Sequence, residues 1–262
     1  NPELKTVTGV SLAMNGEVNE PYAWKFTTSK PRVVQVEPEV RQLLPLDPEI
    51  KLTFNQPMNR DSVESNFSFS GNEGNVSGEF SWNREGTELT FTPDDLLERN
   101  VGYLLNLGAT AQSGGGLIIG ADYGAVFNTY DNFAVTDSKA DLGFITFTFN
   151  SPLAKANYNN LVDVNPQGEN LQVEPSEDGL NLMFYGDFTP DRNYSIELSA
   201  RISDRWGQSL GDDFIKELHT PPLPSSLNVS LFDWNMAFVR PDEPLLYANA
   251  VNIQNVRTTV AP

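Results

Sequence analysis

Apolar and polar positions alternate along this chain in short bursts. Ile50-Lys51-Leu52-Thr53-Phe54, Phe67-Ser68-Phe69, Phe80-Ser81-Trp82, Glu88-Leu89-Thr90-Phe91 and Tyr103-Leu104-Leu105-Asn106-Leu107 place apolar side chains two residues apart. That spacing gathers them on one face of a β-strand. Val33-Val34-Gln35-Val36 opens the series and Ala125-Val126-Phe127-Asn128-Thr129 closes it. Turn residues separate the bursts at Pro45–Pro48, Asn55-Gln56-Pro57, Asn83–Gly86 and Gly114-Gly115-Gly116. Proline has no N–H to give a ladder, so Pro57 ends its strand. No segment carries the sustained 3.6-residue apolar period of a stable helix. Asp61-Ser62-Val63-Glu64 reads as one helical turn with Asp61 as its N-cap.

The pattern then returns. Phe54-Asn55-Gln56-Pro57-Met58 reappears as Phe149-Asn150-Ser151-Pro152-Leu153, 95 residues on. Phe91-Thr92-Pro93 matches Phe188-Thr189-Pro190, Val101–Leu105 matches Arg192–Ile196, and Phe127-Asn128-Thr129 matches Leu218-His219-Thr220. Strands are predicted at Phe133–Val135, Phe144–Phe149, Val162–Val164, Leu171–Val173, Leu180–Phe184, Tyr194–Leu198 and Phe214–His219. About seven short strands per period, with turn signals between them, predict tandem β-sandwiches. The boundaries are 31–130 and 131–222. Residues 1–30, with Trp24-Lys25-Phe26-Thr27-Thr28, read as the closing strands of a preceding unit or as a local hairpin. Pro221-Pro222-Leu223-Pro224 is a stiff extended linker. Residues 223–262 hold strand patterns at 227–231, 237–239, 247–252 and 256–260. This tail is too short for a sandwich of its own. It is either the start of a third domain or a set of strands laid against the second.

Composition narrows the functions. The 262 residues carry a formal net charge of −18, which repels nucleic-acid phosphates and anionic membrane surfaces. Cysteine is absent, so disulfides, thiolate metal sites and cysteine nucleophiles are excluded. No apolar run approaches the roughly 20 residues of a membrane-spanning helix. Asn1-Pro2-Glu3-Leu4 lacks the basic-then-apolar pattern of a secretion signal.

Candidate chemistry is thin. His219 is the one histidine, at a strand end, and a zinc site would need carboxylates for every other ligand. No Gly-x-Ser-x-Gly elbow supplies a serine nucleophile. The pairs Asp94 with Asp95, Asp187 with Asp191 and Asp212 with Asp213 could do acid–base work in a cleft, but they sit at turns that favour Asp for local reasons. Asp131, Asp137 and Asp141 are candidates for calcium at a domain junction, without an Asp-x-Asp-x-Asp-Gly loop. Gly114-Gly115-Gly116 lacks the Gly-Lys-Ser/Thr ending of a phosphate loop. Its counterpart in the repeat is Asp204-Arg205-Trp206-Gly207. Trp24, Trp82, Trp206 and Trp234 are either core residues or a carbohydrate platform. No catalytic, cofactor or metal residue is assigned.

Val34–Pro38, Pro45–Ile50, Leu52–Met58 and Asp61-Ser62-Val63 stand in an order that resembles the opening of bacterial Ig-like domains of surface and periplasmic proteins. Phe80–Trp82, Leu89–Pro93 and Phe127–Thr129 continue the likeness. The resemblance covers 31–130 well and 131–220 more loosely. It implies an all-β fold of tandem immunoglobulin-like β-sandwich domains, with partial domains at both ends. Ala237-Phe238-Val239-Arg240-Pro241, Leu245–Asn252 and Val256 resemble the start of the first macroglobulin-like domain of bacterial α2-macroglobulins. That family implies a periplasmic or surface-anchored protease trap. Its Cys-containing thioester cannot lie in a chain without cysteine.

Three functions are compatible with these features. One is a non-catalytic scaffold segment of an α2-macroglobulin-like protease inhibitor. Its partners would be neighbouring domains and, through the whole protein, target proteases. The second is an Ig-like stalk or adhesion module of a surface protein. The third is a glycan-binding accessory domain of an enzyme. The tail favours the first.

Overall fold

The computed structural model describes residues 29–229, 242 and 248–257. The expected closing strands in 1–30 fall outside it apart from Ser29 and Lys30, as do 237–239 and 258–260. What is described is almost wholly β-structure, as the alternation requires.

The first sandwich stacks two sheets. One orders β1 (Val33–Glu37), β3 (Ile50–Phe54), β7 (Glu88–Pro93) and β6 (Gly78–Trp82) as β1-β3-β7-β6. The other runs β2-β9-β8-β4-β5, from β2 (Leu43–Leu44), β9 (Tyr123–Thr129), β8 (Gly102–Leu107), β4 (Phe67–Gly71) and β5 (Gly74–Asn75). Every pairing is antiparallel except β2 on β9. Leu52, Phe54, Phe69, Leu89, Phe91, Tyr103, Leu105 and Phe127 are buried between the sheets. Phe69 stacks on Tyr103 with centroids 5.2 Å apart, and Phe91 packs among Phe67, Phe69 and Phe80. Aromatic pairs add to the area buried and fill the space between the sheets without any inter-sheet disulfide.

The second sandwich has the expected seven strands. β10 (Val135–Asp141), β11 (Phe144–Phe149), β14 (Asn181–Asp187) and β13 (Glu169–Pro175) form the sheet β10-β11-β14-β13. β12 (Val162–Asn165), β15 (Asn193–Leu198) and β16 (Phe214–His219) form the other. Its core is separate and includes Phe147, Phe149, Leu182, Phe184, Phe188, Tyr194 and Ile196, with Leu218 half-buried against it. Beyond the linker, β17 (Ser226–Val229) pairs antiparallel with β18 (Ala248–Val251).

Three sequence expectations are corrected. The helical turn is α1 (Arg60–Ser65), and its N-cap is Asn59, whose Oδ1 accepts the Ser62 N–H at 3.1 Å. Asp61 lies inside the first turn, where a carboxylate complements the helix dipole instead. Strand β10 spans 135–141, not 133–135, because Thr-Asp-Ser-Lys-Ala-Asp is a polar edge strand with no apolar alternation to reveal it. The counterpart of Phe91 is Phe184, not Phe188. Phe91 pairs with Ile50 and Phe184 with Ile145, and Ile50 and Ile145 are themselves equivalent. The shared Phe-Thr-Pro string is coincidental.

Both sandwiches contain a tyrosine corner, a hallmark of Ig-like folds. The Glu98 N–H donates to the Tyr103 hydroxyl at 2.9 Å, and the Thr189 N–H donates to the Tyr194 hydroxyl at 2.8 Å. Burial pushes the Tyr103 phenol above its ordinary range, only partly offset by that backbone donor. The strand-closing threonines complete the corner. Thr129 Oγ1 donates to the Glu98 carbonyl and accepts the Val101 N–H. Thr220 Oγ1 does the same with Thr189 and Arg192. The residue between, Asn100 or Asp191, sits at φ near +55° (55° and 54°), a region that Asn and Asp tolerate.

Candidate functional site

The repeated Phe-Asn-x-Pro motif has a positional job. Asn55 Oδ1 accepts the Arg32 N–H at 2.9 Å, and its Nδ2 donates to the Lys30 carbonyl at 2.9 Å. Asn150 grips Ala134 N–H and the Asn132 carbonyl in the same way. A short amide at the end of a strand thus ties the segment entering each sandwich to its pole. We expect Asn55→Ala to lower the stability of the first sandwich by about 1–3 kcal/mol, because two backbone groups lose their partner. Urea denaturation of the variant checks this.

The second sandwich adds a carboxylate to this pole. Asp204 is fully buried, with side-chain exposure of 0%. Its Oδ1 accepts the Trp206 and Gln208 N–H groups of its own loop, at 3.1 and 3.0 Å. Its Oδ2 accepts the Ser151 hydroxyl at 3.0 Å and the guanidinium Nη2 of Arg99 from the first sandwich. Arg99 also donates Nη1 to the Asp131 carbonyl at 3.1 Å, so one side chain holds both the linker and the next sandwich.

Trp206 lies over this ion pair. Its ring is 5.7 Å from the Arg99 guanidinium and 5.0 Å from that of Arg205, and it packs on Tyr130 at 5.2 Å. Its Nε1 donates to Asp47 Oδ1 at 2.7 Å, while Arg205 Nη2 donates to Asp47 Oδ2 at 2.8 Å. Gln208 reaches the linker at the Phe133 N–H and at Asn132 Oδ1. The terms differ in weight. The Arg205–Asp47 pair is half-exposed (50% and 43%) and contributes at most about 1 kcal/mol. Asp204 has no water to fall back on, so losing Arg99 leaves an uncompensated buried charge.

The candidates read from sequence are scattered. His219 Nδ1 is 2.7 Å from Asn193 Oδ1 and Nε2 is 3.1 Å from Asp191 Oδ1, at the exposed far pole of the second sandwich. Asp187 accepts from Asn170, so Asp187 and Asp191 face different partners. Asp213 accepts the Ala200 N–H, and Asp94 and Asp95 are not buried. Asp131 and Asp137 each accept the N–H of the next residue. Asp141 is paired with Lys139 Nζ, which with the Leu142 N–H holds its carboxyl below the usual range. No three such residues are placed to hold a metal among the described residues. Trp82 stacks on Phe54 and donates to Glu64, whereas Trp206 sits at the junction, so those two share no platform. Trp24 and Trp234 lie outside the described residues.

No motif marks Asp204 in the sequence. The signal was the break in the repeat, where Gly-Gly-Gly is replaced by Arg-Trp-Gly.

Residues 27–129 match the family described as the bacterial Ig-like domain. No curated protein matches the chain. Among solved structures, the α2-macroglobulin of Escherichia coli spanning domains MG0-NIE-MG1 is 10% identical with a TM-score of 0.33, covering 78% of this chain and 75% of that one. An L,D-transpeptidase from Mycobacterium smegmatis is 17% identical with a TM-score of 0.29, covering 68% and 78%. The S-layer protein rSbsC(31-844) is 14% identical with a TM-score of 0.31, covering 85% of this chain and 32% of that one. Likeness at this level says nothing of function. The family match, the tyrosine corner and the sheet order agree on one point: the first sandwich of this chain is a bacterial Ig-like domain.

Proposed function

We propose that this chain is a non-catalytic spacer that fixes the distance and orientation between neighbouring domains of a larger secreted or periplasmic bacterial protein. The observation that carries this reading is the buried Asp204, whose donors come from both sandwiches. Domains joined by a small interface move relative to one another by default, and a fully buried carboxylate whose partners are all in place in one arrangement opposes that motion. No helix of the described residues is long and apolar enough to cross a membrane.

The parent is an α2-macroglobulin-like endopeptidase inhibitor in this reading, on the strength of Ala237–Pro241 and Asn252–Val256 in the tail. Its partners are the adjoining domains and, through the whole protein, the proteases it meets. The test is protease protection. The full gene product, mixed with a panel of endopeptidases, is expected to shield them from protein substrates, while this chain alone shields none. A full product that leaves every protease free would remove the inhibitor assignment and favour a surface stalk.

A further inference from the structure

The junction contacts divide into a plug on the second sandwich and a socket on the first. The plug is the loop Asp204-Arg205-Trp206-Gly207-Gln208. The socket is Asp47, Arg99 and Tyr130. The loop that carries the plug is present in both sandwiches, because its backbone hydrogen bonds repeat. The Gly114 N–H donates to the Pro57 carbonyl and the Arg205 N–H to the Pro152 carbonyl. The Ser113 N–H donates to Leu117, and the Asp204 N–H to Gln208. Gly116 and Gly207 share φ of +81° and +86°. The plug loop of the first sandwich therefore exists, at Ser113-Gly114-Gly115, but its one polar side chain, the Ser113 hydroxyl, serves the loop itself by accepting the Leu117 N–H, and no charge or ring projects from it.

The socket of the second sandwich is blank as well. Glu98 matches Thr189 and Asn100 matches Asp191 through the tyrosine corner, so Arg99 falls on Pro190. The Asn100 N–H donates to the Tyr130 carbonyl and the Asp191 N–H to Pro221, so Tyr130 falls on Pro221. Asp47 lies in the connection 38–49 between β1 and β3. The connection between β10 and β11 is only Leu142-Gly143, which leaves Asp47 without a counterpart. Proline offers no guanidinium for a buried carboxylate and no aromatic ring of the kind Tyr130 packs on Trp206.

We infer that Asp47, Arg99 and Tyr130 form a keyed surface that accepts a following Ig-like module bearing an Asp-Arg-Trp loop. The second sandwich cannot lock the module after it in this way. The chain is then locked at 130–133, whereas the stiff stretch from Pro221, tied to the strands beyond it through Asn252, carries no such key to the second sandwich and leaves those strands free to turn. The order of the two sandwiches is set by side chains and not by the linker alone. This deepens the spacer reading and rests on it. It is tested by geometry alone, so its failure is distinct from a failed protease assay.

The chain has no cysteine, so spin labels can be placed at will. Glu79 and Glu174 are exposed on the two sandwiches, and Asn228 is exposed in β17 beyond the linker. Electron–electron distance measurements on Glu79→Cys/Glu174→Cys are expected to give one narrow distribution, and Glu174→Cys/Asn228→Cys a broad one. Asp204→Ser/Arg205→Gly/Trp206→Gly writes the blank loop into the second sandwich. It should widen the first distribution to the breadth of the second and leave the second unchanged. Asp47→Ala/Tyr130→Ala removes only half-buried and exposed contacts and keeps the Arg99–Asp204 pair, so it should widen the first distribution by less than the loop variant does, with both sandwiches folded. A broad Glu79/Glu174 distribution in the unmodified chain, or equal narrowness of both pairs, overturns the inference. So does a narrow distribution in both variants.

Discussion

Asp204→Ala lowers the stability of the second sandwich by about 3–5 kcal/mol, the usual cost of breaking a buried, hydrogen-bonded ion pair. Three causes act together. The Arg99 guanidinium, only 13% exposed, keeps its charge and loses its counter-ion. The Trp206 and Gln208 N–H groups lose the carboxylate that shaped their loop. Ser151, itself fully buried, loses its acceptor. Asp47→Ala, at the exposed end of the same junction, costs about 1 kcal/mol or less. Urea denaturation of the two variants separates the effects, and comparable losses would show that the buried pair is not dominant. The pair is not a stability device in the net sense, since an apolar replacement of the whole cluster could match it. Its value is directional, because a charge buried between two sandwiches tolerates one arrangement.

Phe54→Ala removes a ring that is 3% exposed and stacks on Trp82, and it lowers the stability of the first sandwich by about 3–5 kcal/mol. The second sandwich keeps its own transition, because its core, from Phe133 to Ile202, shares no residue with the first. Calorimetry is expected to show the transition of the first sandwich moving down in temperature with that of the second nearly fixed. Loss of both transitions together would mean that the two cores fold as one.

Much of the fold was legible because its cause is local. Alternation at Ile50–Phe54, Phe144–Phe149 and Tyr194–Leu198 reports a buried face directly, and all three are strands. The Phe-Asn-x-Pro repeat is visible in the sequence, but the grip of Asn55 and Asn150 on the entering segments is not, because their partners lie 23 and 16 residues upstream. What stayed hidden depends on partners distant in sequence. Asp204 carries no motif that marks it in the sequence, and only Arg99, 105 residues away, makes it the centre of the junction. Strand β10 was obscured by its polar edge position. The Phe188-Thr189-Pro190 match failed because β14 leads to its tyrosine corner by a shorter connection than β7 does.

Backbone ¹⁵N relaxation on the intact chain tests the fixed junction most directly. Amides of β1–β9 and of β10–β16 should fit a single rotational diffusion tensor, with the linker at 130–133 as rigid as the strands. Two independent correlation times, one for each sandwich, would contradict a locked pair.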